Sequence, residues 1–254
     1  MPEVLRTWTP NLANYWNEFW DSLISTGQMF LWAGLISLLI GGLFGIGLVI
    51  TRKDSLYPNR FIHSILEGSI NLFRSVPFII LLIFLIPFTR FITGTAIGVK
   101  GAIVPLVIGC VPFFSRQVES ALAEVDPGKI EAARAMGKSR LNIIWNVYLR
   151  EAVPGLIRAV TITAISLIGL TTAAGAVGAG GIGSFAINYG QNLHYQDIVN
   201  VCVIVLLVLI SFVQIVGNVL AARTRQGKLF RFPKFKKVTD ENLFTLEENQ
   251  YEVQ

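Results

Sequence analysis

Met29 to Ile50 reads MFLWAGLISLLIGGLFGIGLVI, within a charge-free stretch that extends from Asp21 to Arg52. A helix that crosses a membrane needs about 20 consecutive apolar residues. This run is long enough, and it carries no ionisable side chain that would have to leave water. The sequence predicts that it is retained and not a removable signal peptide. Its apolar run is too long for one, and the region before it lacks a basic start.

Working outward, four further charge-poor stretches follow. Ser75 to Thr89 reads SVPFIILLIFLIPFT. It is short for a span, so the predicted helix begins near Phe61 and carries His63, Glu67 and Arg74 in its first half. Gly101 to Ser115 is extendable toward Leu122. Ala159 to about Ala176 reads as a span, and from there to Gln196 the uncharged chain is Gly-rich. Ile198 to Ala222 is rich in Val, Leu and Ile. The expected fold is all-α, a polytopic membrane bundle of about five transmembrane helices, because a chain in lipid must satisfy its backbone within helices. Composition agrees. Of 254 residues, 53% are hydrophobic and 15% charged, against about 25% charged in soluble domains. Such a chain is too apolar for disorder, and two cysteines exclude a disulfide framework.

The basic residues set the expected orientation. Seventeen of the 21 Lys and Arg residues fall in segments 51–60 and 116–158 and in the tail. The positive-inside rule makes that side cytoplasmic and the N-terminus external. Three segments are expected: 1–24 outside or in the interface, with Trp8, Trp16, Phe19 and Trp20 as interfacial aromatics; 25–222 as the membrane domain, including a loop at 126–150; and 223–254 as a cytoplasmic tail. The basic, Phe-containing start of that tail suits anionic lipid. Its acidic end reads as solvated.

Two motifs resemble nucleotide sites and fail on context. Gly178 to Gly183 matches G-x-G-x-x-G, but that pattern has meaning only between a strand and a helix of a βαβ unit. Gly137-Lys138-Ser139 ends like a P-loop, yet Ala132 stands where the first Gly is needed. His63 and His194 lie in distant segments, and Cys110 and Cys202 sit in apolar spans as small packing residues. No catalytic, metal or cofactor constellation is found, and the segregated charge argues against nucleic acid as a partner.

The loop DPGKIEAARAMGKSRLNIIWNVYLREAVPGLIR, residues 126–158, carries more information. Asp126 and Pro127 form a helix start, and Gly137 ends or bends that helix. Leu141, Ile144, Trp145 and Tyr148 then fall at helical spacing. A small-residue helix joined by Gly to an amphipathic one admits a close partner; an ordinary loop packed on its own bundle fits the same residues.

Glu131-Ala132-Ala133 followed by Gly137 resembles the EAA-x-x-x-G loop of ABC importer permease subunits. The Leu-Pro pair that usually follows is here Leu149-Arg150. Arg74 to Gly98 and GAVGAGGIG (Gly175 to Gly183) resemble the methionine-importer permeases. This likeness covers about residues 25–225. It implies a type I importer permease fold, and a homodimer with two ATP-binding subunits that bind the ATP. It also implies an extracytoplasmic substrate-binding lipoprotein and a bacterial plasma-membrane location. Asp126, Glu131, Ala132, Ala133, Met136, Gly137 and Leu141 would dock the ATPase. Candidates for the pathway or gate are Arg74, Pro77, Ala173, Gly175 and Gly178. Close helix packing is the alternative for Ala173 to Gly183, as it is for Gly41 and Gly45. Arg116 and Glu119 are expected to pair at i, i+3. A channel or ion-driven transporter would need buried acids in the late spans, and a membrane enzyme a set of paired catalytic groups. Neither is present in the sequence.

Overall fold

The structure, a computed structural model, describes residues 9–53 and 55–225. Trp8 and the tail 226–254 lie outside the described residues. Among the described residues every regular element is helical. A short α1 (Pro10–Asn14) leads into α2 (Trp16–Ile50), 35 residues long. At about 1.5 Å per residue, α2 is far longer than a hydrocarbon core of about 30 Å. It runs unbroken across positions 24 and 25. Trp16, Phe19 and Trp20 therefore form the first turns of the same helix. Their rings interact with one another, and Phe19 meets Phe185 edge-on at 5.7 Å.

The expected second span is broken. Helix α3 (Arg60–Ser75) and helix α4 (Phe78–Phe84) meet at a bend of 101°. Pro77 has no N–H to offer the Phe73 carbonyl. The residue before it is driven out of the helical region, and Val76 has φ −89° and ψ 124°. Helix α5 (Ile86–Thr93) continues to Gly94, which closes it in the left-handed region at φ 77°. Among the described residues, four helices are long and apolar enough to cross a membrane unbroken: α2, α6 (Gly98–Ala123), α10 (Val153–Gly175) and the last, α12 (Gln196–Arg225). The bent pair, counted as one interrupted span, would make a fifth.

Between α6 and α10 lies the loop region. It comprises α7 (Pro127–Ala135), α8 (Arg140–Ile143), a wide π turn at Ile144–Tyr148, and α9 (Leu149–Glu151). After α10 come α11 (Gly181–Phe185), a second π turn at Ala186–Gln191, and α12 (Gln196–Arg225).

Small residues set the distance between the main helices. A Cβ at Gly41 would stand 3.0 Å from the Val111 carbonyl oxygen, and one at Gly45 only 2.6 Å from Val118 Cβ. Helix α2 thus lies nearly backbone to backbone on α6, which is how helices associate where lipid removes the hydrophobic drive. Gly217 of α12 makes a comparable approach to Thr161 of α10. Outward faces are apolar and exposed, among them Leu39, Leu43, Phe212 and Ile215. Such a surface suits lipid or another subunit, not water.

Candidate functional site

The loop 126–150 is built by local capping. Asp126 Oδ1 accepts the Gly128 amide at 2.8 Å, and Pro127 occupies the first helical position of α7. The C-terminal end carries a full Schellman closure. The Gly137 amide donates to the Arg134 carbonyl at 2.9 Å, and the Lys138 amide to the Ala133 carbonyl at 3.1 Å. Gly137 has φ 71°, and nothing lies within 4 Å of where a Cβ would be. Glycine is required there by backbone conformation and not by space. Ser139 Oγ then accepts the Asn142 amide and starts α8.

Burial divides the loop into an anchoring and a free face. Ile130 and Ala133 are buried, while Glu131 and Ala132 are exposed. In the second half, Ile143, Ile144, Val147 and Tyr148 face the bundle. The stripe expected from Leu141, Ile144, Trp145 and Tyr148 is thereby corrected. Ile144 and Tyr148 pack, but Leu141 is 62% exposed and Trp145 66% exposed. The pair Ile143 and Val147, at the same four-residue spacing, takes the inner face, and the π turn widens the helix there. Met136, 60% exposed, joins Leu141 and Trp145. Three large apolar side chains of the loop thus stand exposed.

At the opposite end of α10 the Gly-rich segment forms a tight hairpin with α11. A Cβ at Gly175 would meet the Ser184 amide nitrogen at 2.5 Å, and one at Gly183 the Thr172 carbonyl oxygen at 2.0 Å. Gly178 and Gly180 adopt φ 88° and 81°. The Gly178 carbonyl accepts the Gly98 amide at 3.0 Å, joining the turn to the start of α6. No strand precedes this G-x-G-x-x-G.

A third group links helices. Arg116 of α6 donates to Glu119 at 2.7 Å and to Asn71 at 2.8 Å, and its Nη2 lies 3.4 Å from Glu67. The expected Arg116–Glu119 pair is therefore present within a larger cluster. His63 Nε2 stands 3.7 Å from Glu67, and Nδ1 stands 3.1 Å from the Leu48 carbonyl oxygen of α2. A carbonyl only accepts, so Nδ1 carries the proton. One polar chain thus joins α2, α3 and α6. The sequence reading missed Asn71 and the role of His63. The signal was their i, i+4, i+8 spacing with Glu67.

Residues 41–226 match the family model described as the binding-protein-dependent transport system inner membrane component. The chain belongs to this family. The inner-membrane component resembles the methionine import system permease protein MetP of Bacillus subtilis (strain 168), with 43% identity over 68% of this chain and 78% of that protein. It is 44% identical to the probable D-methionine transport system permease protein MetI of Haemophilus influenzae, over 74% of this chain and 89% of that one. Its fold matches that of a chain in the inward-facing MetNI methionine ABC transporter with a TM-score of 0.79, at 40% identity over 82% and 96% of the two chains. A chain of an amino acid ABC transporter with histidines, 18% identical, shares the fold alone with a TM-score of 0.71. In this transport component the residues expected to dock an ATPase lie together on one loop. Ala173, Gly175 and Gly178 cluster at the far end of α10, and Arg74 and Pro77 flank the break between α3 and α4.

Proposed function

We propose that the chain is the membrane-spanning permease subunit of an ATP-driven bacterial importer of methionine, in its D form, its L form or both. Two copies line a passage, and each docks one ATP-binding subunit through the loop 126–150. An extracytoplasmic binding lipoprotein delivers the solute. The N-terminus lies outside and the C-terminus in the cytoplasm, in keeping with the basic residues of segments 51–60 and 116–158. The permease contributes no cofactor; ATP belongs to the partner subunits.

One observation carries the reading: Met136, Leu141 and Trp145 stand exposed on a loop whose other face is anchored in the bundle. Exposed apolar groups rimmed by charge mark a contact with a protein or a membrane, and the likeness to the MetNI methionine ABC transporter favours a protein. The anchoring face passes motion inward, since Ile130, Ala133 and Tyr148 belong to the same packed cluster as Val118 of α6 and Ala159 of α10. Closure of the ATPase pair would then tilt rigid helices and switch the passage between openings. The methionine MetP, MetI and MetNI relatives support the substrate.

ATP-dependent uptake of labelled methionine by the complex reconstituted in liposomes tests this. Uptake without ATP would remove the importer reading, and preference for another amino acid would keep the class and discard methionine.

A further inference from the structure

Helix α3 divides lengthwise into two faces. At about 100° per residue, His63, Glu67, Asn71 and Arg74 fall on one narrow arc. Phe61, Ile65 and Leu72 occupy the opposite side, all exposed. The polar arc also climbs. His63 sits beside Leu48, at the end of α2, and Glu67 and Asn71 stand beside Arg116. Ile70 and Phe73 border the same apolar gap as Val107 and Pro112, and the Phe78 ring would lie 3.0 Å from a Cβ at Gly109. Gly109 is near the midpoint of α6, Gly98–Ala123. Arg74 therefore stands at about mid-height of the bundle, where α3 breaks.

The charges on this arc are not equivalent. Glu67 and Glu119 share the Arg116 guanidinium. Among the described residues Arg74 has no ion-pair partner, and its side chain is exposed. A bare cation at that depth does not face hydrocarbon; charges in a membrane face protein or a water-filled cavity. Broken helices at mid-membrane are also where transporters place their solute sites.

We propose that Arg74, at the α3–α4 break and outside the Arg116–Glu67–Glu119 cluster, binds the carboxylate of the amino acid during its passage. This rests on the importer reading above and names how that pathway recognises its solute. The guanidinium matches a carboxylate with two parallel hydrogen bonds. Pro77 leaves the Phe73 carbonyl without its helical donor, so an acceptor for the solute's ammonium group lies in the same break. The site selects a free carboxylate and does not read the thioether.

The test uses the reconstituted complex of permease, ATPase and binding protein. At saturating loaded binding protein, Arg74→Gln should lower methionine uptake about tenfold or more, the size of a lost charge-assisted hydrogen bond. Assembly and binding-protein affinity should stay as in wild type. Arg74→Lys, which keeps the charge but not the fork, should retain an intermediate rate. In equilibrium binding to the permease–ATPase complex alone, the wild type should prefer methionine to its methyl ester, and Arg74→Gln should bind the two alike. Wild-type uptake by Arg74→Gln, or no preference for the free acid in the wild type, would overturn the assignment. So would dissociation of the permease pair in Arg74→Gln, which would make Arg74 a contact between copies. Failure of the wild type to import methionine would sink the substrate reading alone, and the same comparison would then be made with the amino acid that is imported and its ester.

Discussion

The Ile182 amide donates a 2.8 Å hydrogen bond to the Thr26 hydroxyl, 156 positions earlier in the chain. Thr26 in turn donates to the Ser22 carbonyl at 2.9 Å, and both Thr26 and Ile182 are buried. The first amides of a helix have no partner within it, so α2 caps α11 from outside. Thr26→Val keeps the shape and removes the acceptor. It should cost about 1–3 kcal/mol, the penalty for a buried unpaired amide. A thermal melt of the purified complex should show a clear fall in Tm for Thr26→Val and a smaller one for Thr26→Ser. Equal Tm values would mean that the amide is satisfied otherwise.

Gly45 and Gly68 make a matched contrast. A Cβ at Gly45 would stand 2.7 Å from the Ser115 carbonyl oxygen, whereas one at Gly68 meets nothing within 4 Å. Gly45→Ala should force α2 and α6 apart at a cost of about 1–3 kcal/mol, as for an overpacked core. Gly68→Ala should be neutral or stabilising by about 1 kcal/mol through helix propensity. Melting curves of the two variants should shift in opposite directions, or only Gly45→Ala should shift.

What was legible in the sequence follows from the kind of signal each feature left. Long uncharged runs fix spans because water-free backbone allows few alternatives, and α2, α6, α10 and α12 follow them. The break at Val76-Pro77 was present as an X-Pro step. A strongly apolar run from Pro77 onward masked it, since hydropathy reports burial and not direction. At the loop, Asp126 and Gly137 are local capping signals and could be read. The exposure of Leu141 and Trp145 could not, because apolar side chains cover most of the helix circumference over residues 141–148, leaving only Asn142 and Asn146 as a polar strip, and tertiary packing chooses which apolar ones are buried. The Thr26–Ile182 bond left no trace in any local pattern.

Gly137 ends α7 at φ 71°. A residue with a Cβ pays about 1–2 kcal/mol in that region, and asparagine less. Gly137→Val should loosen the Lys138–Ala133 closure and misplace Met136, whereas Gly137→Asn should largely preserve it. ATP-driven uptake should therefore fall severalfold for Val and little for Asn, with the permease still folded. Equal uptake in both variants would show that the left-handed turn is dispensable.

Arg116 is shared between Glu67 and Glu119. Glu67→Gln removes one partially exposed pair, worth about 0.2–1 kcal/mol. Arg116→Ala should cost more than Glu67→Gln and Glu119→Gln combined, because it leaves both acids without their shared guanidinium. In the Glu67→Gln, Glu119→Gln double variant, Arg116→Ala should then become milder. Tm measured across the cycle checks this; strict additivity would mean that the cluster does not act as a unit.

Trp145 carries the most direct test of the loop as a docking surface. The residue is 66% exposed, as Leu141 one helical turn earlier is at 62%, while Ile143, Ile144, Val147 and Tyr148 are buried beneath. Trp145→Ala removes little that the permease itself buries, so its Tm should change by no more than a surface substitution does, within about 0.5 kcal/mol. Large aromatic side chains at the centre of an interface commonly contribute 2 kcal/mol or more. Affinity for the ATP-binding subunit should thus weaken about thirtyfold or more, read by co-purification and by titration. Uptake should recover partly when that subunit is supplied in excess. A destabilised permease with unchanged subunit affinity would place Trp145 in the permease's own packing and remove it from the docking face.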